Sequence, residues 1–148
     1  MPRLADTNVL VYAVLSGAAE MHKQAIAQEL LETEDITLSV QVLQEFYHQA
    51  TRPSRTHRLS HEDAMDFLND LAVDRVQGMT VDLFRRATTI AQRFQISYWD
   101  AAIIAAAEIS GCDAVYSEDL NHGQSYGSVR VINPFPGPRT DQPEATSQ

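Results

Sequence analysis

The feature that most constrains this chain is a run of seven small or aliphatic residues, Ala101-Ala102-Ile103-Ile104-Ala105-Ala106-Ala107. Ser97 and Asp100 precede it at the spacing of a helix-start capping pair, and Gly111 follows it where a helix commonly stops. The run therefore reads as a helix over residues 99–110. A helix that is apolar on every side offers no face to water and must be enclosed by other elements. Asp100 stands at the mouth of that enclosed helix, where a carboxylate needs a partner. Capping through the Ser97 backbone amide is one such partner, and a ligand outside the helix is another.

The elements that could enclose it follow from periodicity and breakers. Arg3-Leu4-Ala5 reads as a short strand, running into Asp6-Thr7-Asn8 and then a helix through Val9, Leu10, Tyr12, Ala13 and Val14. Residues 20–31 carry Ala25, Ile26, Leu30 and Leu31 at helical spacing, and Ile36-Thr37-Leu38 offers a second strand. A helix is expected over residues 40–51, with Pro53 helping to end it. Ser60 and Asp63 open another helix through Phe67, Leu68 and Leu71, a short strand is expected at residues 75–76, and a helix over residues 81–94. Residues 114–116 and 129–132 read as late strands. Strands alternating with helices imply a mainly parallel central sheet in a three-layer α/β/α architecture, with sites beyond the carboxyl ends of the strands. Asp6 and Ser117-Glu118-Asp119 should then share one rim.

One domain over residues 1–135 is expected, since 148 residues with 44% hydrophobic content suffice for a single core. A polar tail at residues 136–148 has little with which to fold and is expected to be disordered. No apolar run approaches the roughly 20 residues of a membrane span, and no basic-then-apolar leader is visible, so a cytoplasmic location is expected. Cys112, the single cysteine, has no disulfide partner and reads as a small packing residue. The formal charge is −9, from 20 acidic and 11 basic side chains, which argues against non-specific coating of nucleic acid. The charge is uneven, because no acid falls between Glu45 and Glu62, a stretch containing Arg52, Arg55, Arg58, His48, His57 and His61. That segment is the phosphate-facing candidate, and its plain alternative is a solvated basic loop.

Taken singly, the acids are ambiguous. Asp6-Thr7-Asn8 has the residue types of a helix cap. Glu45 falls about 60° from Val42 on a helix whose apolar face is Val42, Leu43, Phe46 and Ala50, at the flank of that face. Asp119 could be an ordinary turn acid. His57 and His61 are four apart, but Ser60 reads as a helix start between them, which speaks against a shared metal. Tyr98 and Trp99, beside the apolar helix, read as core residues rather than base-stacking ones. No HExxH or phosphate-loop sequence is present.

In combination the segments are specific. Leu4-Ala5-Asp6-Thr7-Asn8-Val9-Leu10-Val11-Tyr12-Ala13, Ser39-Val40-Gln41-Val42-Leu43-Gln44-Glu45-Phe46-Tyr47, Tyr98-Trp99-Asp100-Ala101-Ala102-Ile103-Ile104-Ala105-Ala106-Ala107, Tyr116-Ser117-Glu118-Asp119-Leu120 and Val131-Ile132-Asn133-Pro134-Phe135 together resemble the PIN domain. More narrowly, they resemble the VapC ribonuclease toxins of bacterial toxin–antitoxin pairs. The resemblance implies a metal-dependent endoribonuclease with Asp6, Glu45, Asp100 and Asp119 as the acids of the metal site and Asn8 and Ser117 as polar supports. It further implies an RNA substrate, a cognate antitoxin and a homodimer. Many PIN domains carry a further acid two positions after the fourth. Asn121 stands there, which puts a fifth ligand in doubt.

The chemistry agrees with the resemblance. Two carboxylates about 5 Å apart repel by roughly 3 kcal/mol at an effective dielectric near 20, so a cluster of four calls for a cation. An all-oxygen donor set suits Mg²⁺ or Mn²⁺ better than Zn²⁺. Arg52, Arg55 and Arg58 are candidates for guiding the RNA backbone. Two rivals remain: a non-catalytic PIN-like module that binds RNA or protein, and a phosphatase using an early Asp nucleophile. The second expects another Asp two positions after the first, where this chain has Asn8.

Overall fold

A computed structural model describes residues 1–15, 17–71 and 73–136. Apart from Pro136, the expected tail lies outside the described residues. Six strands form one sheet in the order β3-β2-β1-β4-β6-β5. Strand β1 (Arg3–Ala5) lies parallel between β2 (Ile36–Ser39) and β4 (Ala114–Tyr116), with Leu4 level with both Thr37 and Val115. Strand β3 (Val76–Gln77) extends the sheet parallel to β2, and β6 (Val129–Ile132) extends it parallel to β4. The short β5 (Ser125–Tyr126) pairs antiparallel with β6 at the edge.

The helices are α1 (Thr7–Leu15), α2 (Met21–Thr33), α3 (Val40–Thr51), α4 (His61–Asp70), α5 (Val81–Phe94) and α6 (Tyr98–Ile109), with a 3₁₀ turn at Ala18–Glu20 before α2. Helix α1 packs against α2 and α3, whereas α6 packs against α5 and over β1, β2 and β6, completing a three-layer α/β/α arrangement. No helix among the described residues is long and apolar enough to cross a membrane.

Local chemistry explains the boundaries. Four helices start where a hydroxyl three residues ahead takes an orphan amide: Ser39 from Val42, Ser60 from Asp63, Thr80 from Leu83 and Ser97 from Asp100. Helix α5 stops at Gln95, which adopts the left-handed conformation at φ 55°, and Gly111 at φ 81° turns the chain after α6. All seven residues of the apolar run are buried, as the absence of a polar face requires. Cys112 is buried among them. The sequence reading differs from the structure at the edges: the expected strand at residues 75–76 lies one residue later, and β5 is too short to show a period of its own.

Candidate active site

The parallel sheet brings the distant acids together. Asp6 directly follows β1, and its backbone amide donates to the Tyr116 carbonyl of β4 (2.9 Å), so the segment after β4 runs alongside it. Glu45 comes in from the middle of α3 and Asp100 from the first turn of α6. Asp6, Glu45, Asp100 and Asp119 all line one cleft of about 520 Å³, together with Thr7, Asn8, Gln41, His48, Arg55 and Trp99 among others.

The strand-end half of the cleft is densely hydrogen-bonded. Asp6 is only 6% exposed. One of its oxygens accepts from the Thr7 amide and the other from the Ser117 hydroxyl, both at 2.8 Å. Asp6 thus meets the first amide of α1 rather than the second or third that a side-chain cap takes, and the first turn of α1 favours the anion. The Ser117 hydroxyl also accepts from the Asp119 amide (3.0 Å), and the Asn8 amide group donates to Asp119 Oδ2 at 3.3 Å. Asn8 and Ser117 are therefore the two groups that tie Asp6 and Asp119 together.

The helix-borne half is held by side-chain donors. Glu45 accepts from the Thr7 hydroxyl (2.7 Å) and from Gln41 Nε2 (3.4 Å). Asp100 gives its backbone amide to Ser97, so the capping work at this helix start falls to the serine hydroxyl.

Electrostatics mark the cleft as short of positive charge. Burial pushes the Asp6 carboxyl up to about 6; hydrogen bonds from Ser117 and Thr7 oppose this, and repulsion from Asp119 and Glu45 adds to it. Asp100 is also raised, first by burial, with the Ser97 hydroxyl opposing and Asp119 and Glu45 adding repulsion. Among the described residues no three Asp, Glu, His or Cys side chains gather tightly enough to hold a metal ion. The carboxylates ring the cleft and do not form a closed cage. The donor set still fits a hard cation: Mg²⁺ retains several waters and takes one or two carboxylates directly, so an open ring of oxygens can hold it.

The basic candidates divide. Arg55 lines the acid cleft, Arg52 lines a neighbouring depression with Arg55 and His57, and Arg58 is exposed and lines neither. His61 starts α4 and meets the Tyr47 hydroxyl (3.0 Å), whereas His57 precedes that helix, so the pair does not share one. Asn121, at the position of the missing fifth acid, donates to Gln124 within its own loop. Trp99 is 63% exposed, which overturns its core assignment. Burial of the apolar run says nothing about the first helical turn, where the chain is just entering the core. Sequence reasoning also passed over Thr7 and Gln41, whose only signal was their position beside or one turn from an acid. Gly123-Gln124-Ser125-Tyr126-Gly127 spells the G-x-S-x-G motif, but Ser125 lies on the edge strand β5. A nucleophile elbow requires a strand-to-helix turn.

A PIN domain family model matches residues 3–124, and the chain belongs to the PIN domain family. Solved structures share the fold. The Mycobacterium tuberculosis toxin VapC20, described as cleaving the sarcin–ricin loop, matches at TM-score 0.61 and 23% identity, over 80% of this chain and 90% of that one. A toxin–antitoxin complex from Klebsiella pneumoniae matches at TM-score 0.65 and 18% identity, over 90% and 98%. VapBC2 from Rickettsia felis, bound to a promoter DNA fragment, matches at TM-score 0.61 and 15% identity, also over 90% and 98%. No curated protein matches by sequence.

Proposed function

We propose that this chain is a divalent-metal-dependent endoribonuclease of the VapC type, the toxin of a toxin–antitoxin pair, acting in the cytoplasm as a homodimer. The observation that carries the reading is the meeting of four carboxylates, remote in sequence, in one cleft at the carboxyl end of a parallel sheet. Membership of the PIN family and the likeness to a sarcin–ricin-loop-cleaving toxin and to toxin–antitoxin complexes support the substrate class and the antitoxin. Asp6, Glu45, Asp100 and Asp119 would hold Mg²⁺ or Mn²⁺, with Asn8 and Ser117 orienting Asp6 and Asp119. When bound, the ion supplies positive charge for the phosphate and promotes ionisation of an attacking water. Arg55 is the basic side chain best situated to meet the RNA backbone; Arg52 and Arg58 extend the charge outward from the cleft.

A non-catalytic RNA- or protein-binding module is the second reading; the exposed Trp99 and Arg55 in the same cleft would serve binding without cutting. Incubating purified protein with total RNA and Mg²⁺ or Mn²⁺ separates the two. Cutting is expected, suppressed by a chelator and reduced more than about 100-fold in Asp100→Asn, beyond the usual range for a residue that only supports a ligand. A variant that cuts like the parent removes the site assignment. An inert parent favours the binding module.

A further inference from the structure

Trp99 is the largest apolar side chain at the cleft. Of the exposed large hydrophobic residues described, it alone lines that cleft. It immediately precedes Asp100, and its carbonyl accepts from Gln41 Nε2 (3.3 Å), which ties the first turn of α6 to the helix that carries Glu45. Tyr98 packs edge-on against the indole, with ring centroids 5.0 Å apart at 81°, and Phe84 backs Tyr98 at 5.8 Å. The indole is thus braced from one side while most of its surface remains open, within one residue of a proposed cleavage-site acid.

A braced, solvent-facing aromatic ring beside a phosphate site matches the way proteins hold single-stranded RNA. Unpaired bases lie on aromatic faces while polar and basic groups track the backbone. Arg55, His48 and Gln49, on the α3 side of the same cleft, supply such groups. We propose that Trp99 is a substrate-positioning residue, stacking on an unpaired nucleobase adjacent to the scissile phosphate. This inference rests on the nuclease reading above.

The test removes each side of the stack separately. Cleavage kinetics are measured on a single-stranded oligonucleotide that the parent cuts, and on copies carrying one abasic nucleotide at successive positions beside the cut. One abasic position is expected to raise the parent's KM by roughly five- to a hundredfold, the span of one base stack. Trp99→Leu should raise KM on intact RNA to a similar degree with a smaller effect on kcat. It should suffer no further loss on that abasic substrate, and Trp99→Phe, which keeps a ring face, should restore most of the affinity. Parent-like KM in Trp99→Leu, or losses that multiply, overturns the proposal and leaves the nuclease reading intact.

Because Trp99 is the only tryptophan, its emission reports directly. In Asp100→Asn with Mg²⁺, added RNA should quench it. Unchanged emission overturns the proposal, as does emission that shifts on protein dilution without RNA, the sign of a second copy covering the ring. Should the parent cut no RNA, the nuclease reading falls and quenching alone decides whether Trp99 stacks on RNA.

Discussion

The two halves of the cleft hold their carboxylates by opposite means. After β1 and β4, Asp6 and Asp119 are fixed through Ser117 and Asn8, and the buried Ser117 hydroxyl donates to one acid while accepting from the amide of the other. On α3 and α6, Glu45 and Asp100 are half-buried, and the Glu45 carboxylate is met by the Thr7 and Gln41 side chains rather than by a backbone amide. Strand ends are pinned by the sheet, so charge can be buried there against prearranged donors, as at Asp6, while Asp119 stays exposed on its loop. Helix side chains keep rotamer freedom and can adjust to what enters. The wired half thus supplies orientation at a cost in stability, and the looser half supplies adaptability.

The largest effect should come from Asp6→Asn. Cleavage should fall more than about 100-fold, as for loss of any proposed ligand. Stability without metal should move the other way. The Asp6 carboxyl, raised to about 6 from 3.8, is protonated more readily in the folded than in the unfolded state, so its charge weighs against folding. That penalty is absent below about pH 4, grows between pH 4 and 6, and is full above pH 6. Its size is up to about 3 kcal/mol, less whatever the amide loses in matching donors from Thr7 and Ser117. Denaturant unfolding of the metal-free proteins at pH 4 and pH 7.5 checks this. A gap between parent and variant that fails to widen with pH would mean that the strand-end half bears no such cost.

The same contrast explains what the sequence could reveal. Helices starting at Ser60 and Ser97 were legible because capping is local chemistry written in adjacent residues. The mainly parallel pairing followed from alternation, and the buried α6 from its lack of a polar face. The meeting of the four acids in one cleft was legible only in combination, through the family pattern, since each alone reads equally well as a cap, a carboxylate at a core margin or a turn acid. What stayed hidden depends on long-range approach: the Thr7 hydroxyl reaching Glu45 across 38 positions, and the exposure of Trp99 at the lip of a helix that is otherwise enclosed.

A middle-sized effect is expected for Ser117→Ala. It leaves Asp6 Oδ2 buried without its hydroxyl donor and the Asp119 amide without its acceptor, for about 1–3 kcal/mol of lost stability. Because the Ser117 hydrogen bond holds the Asp6 carboxyl down, its loss should raise that group further and move the pH dependence of cleavage upward. Cleavage should drop roughly 10- to 100-fold, as for other groups that orient a ligand. Ser117→Thr keeps the hydroxyl and should behave like the parent. Thermal melts and pH–rate profiles of the two variants distinguish the lost hydroxyl from a merely altered shape.

Thr7→Val should do least, and for that reason it probes the looser half most directly. The substitution keeps the shape and removes the hydroxyl that donates to Glu45 Oε1. Glu45 is half-buried and retains Gln41, so water and the remaining amide can take up much of the loss. About 0.5–1.5 kcal/mol is the expected upper range, a shift of a few degrees in melting temperature for a chain of this size. Cleavage should fall by about tenfold or less, and Thr7→Ser should recover it. If Thr7→Val instead costs as much as Ser117→Ala in both melting and cleavage, Glu45 is as firmly fixed as Asp6. The helix-borne acids would then be part of one rigid constellation, and adaptability would have to be sought in Asp100 alone.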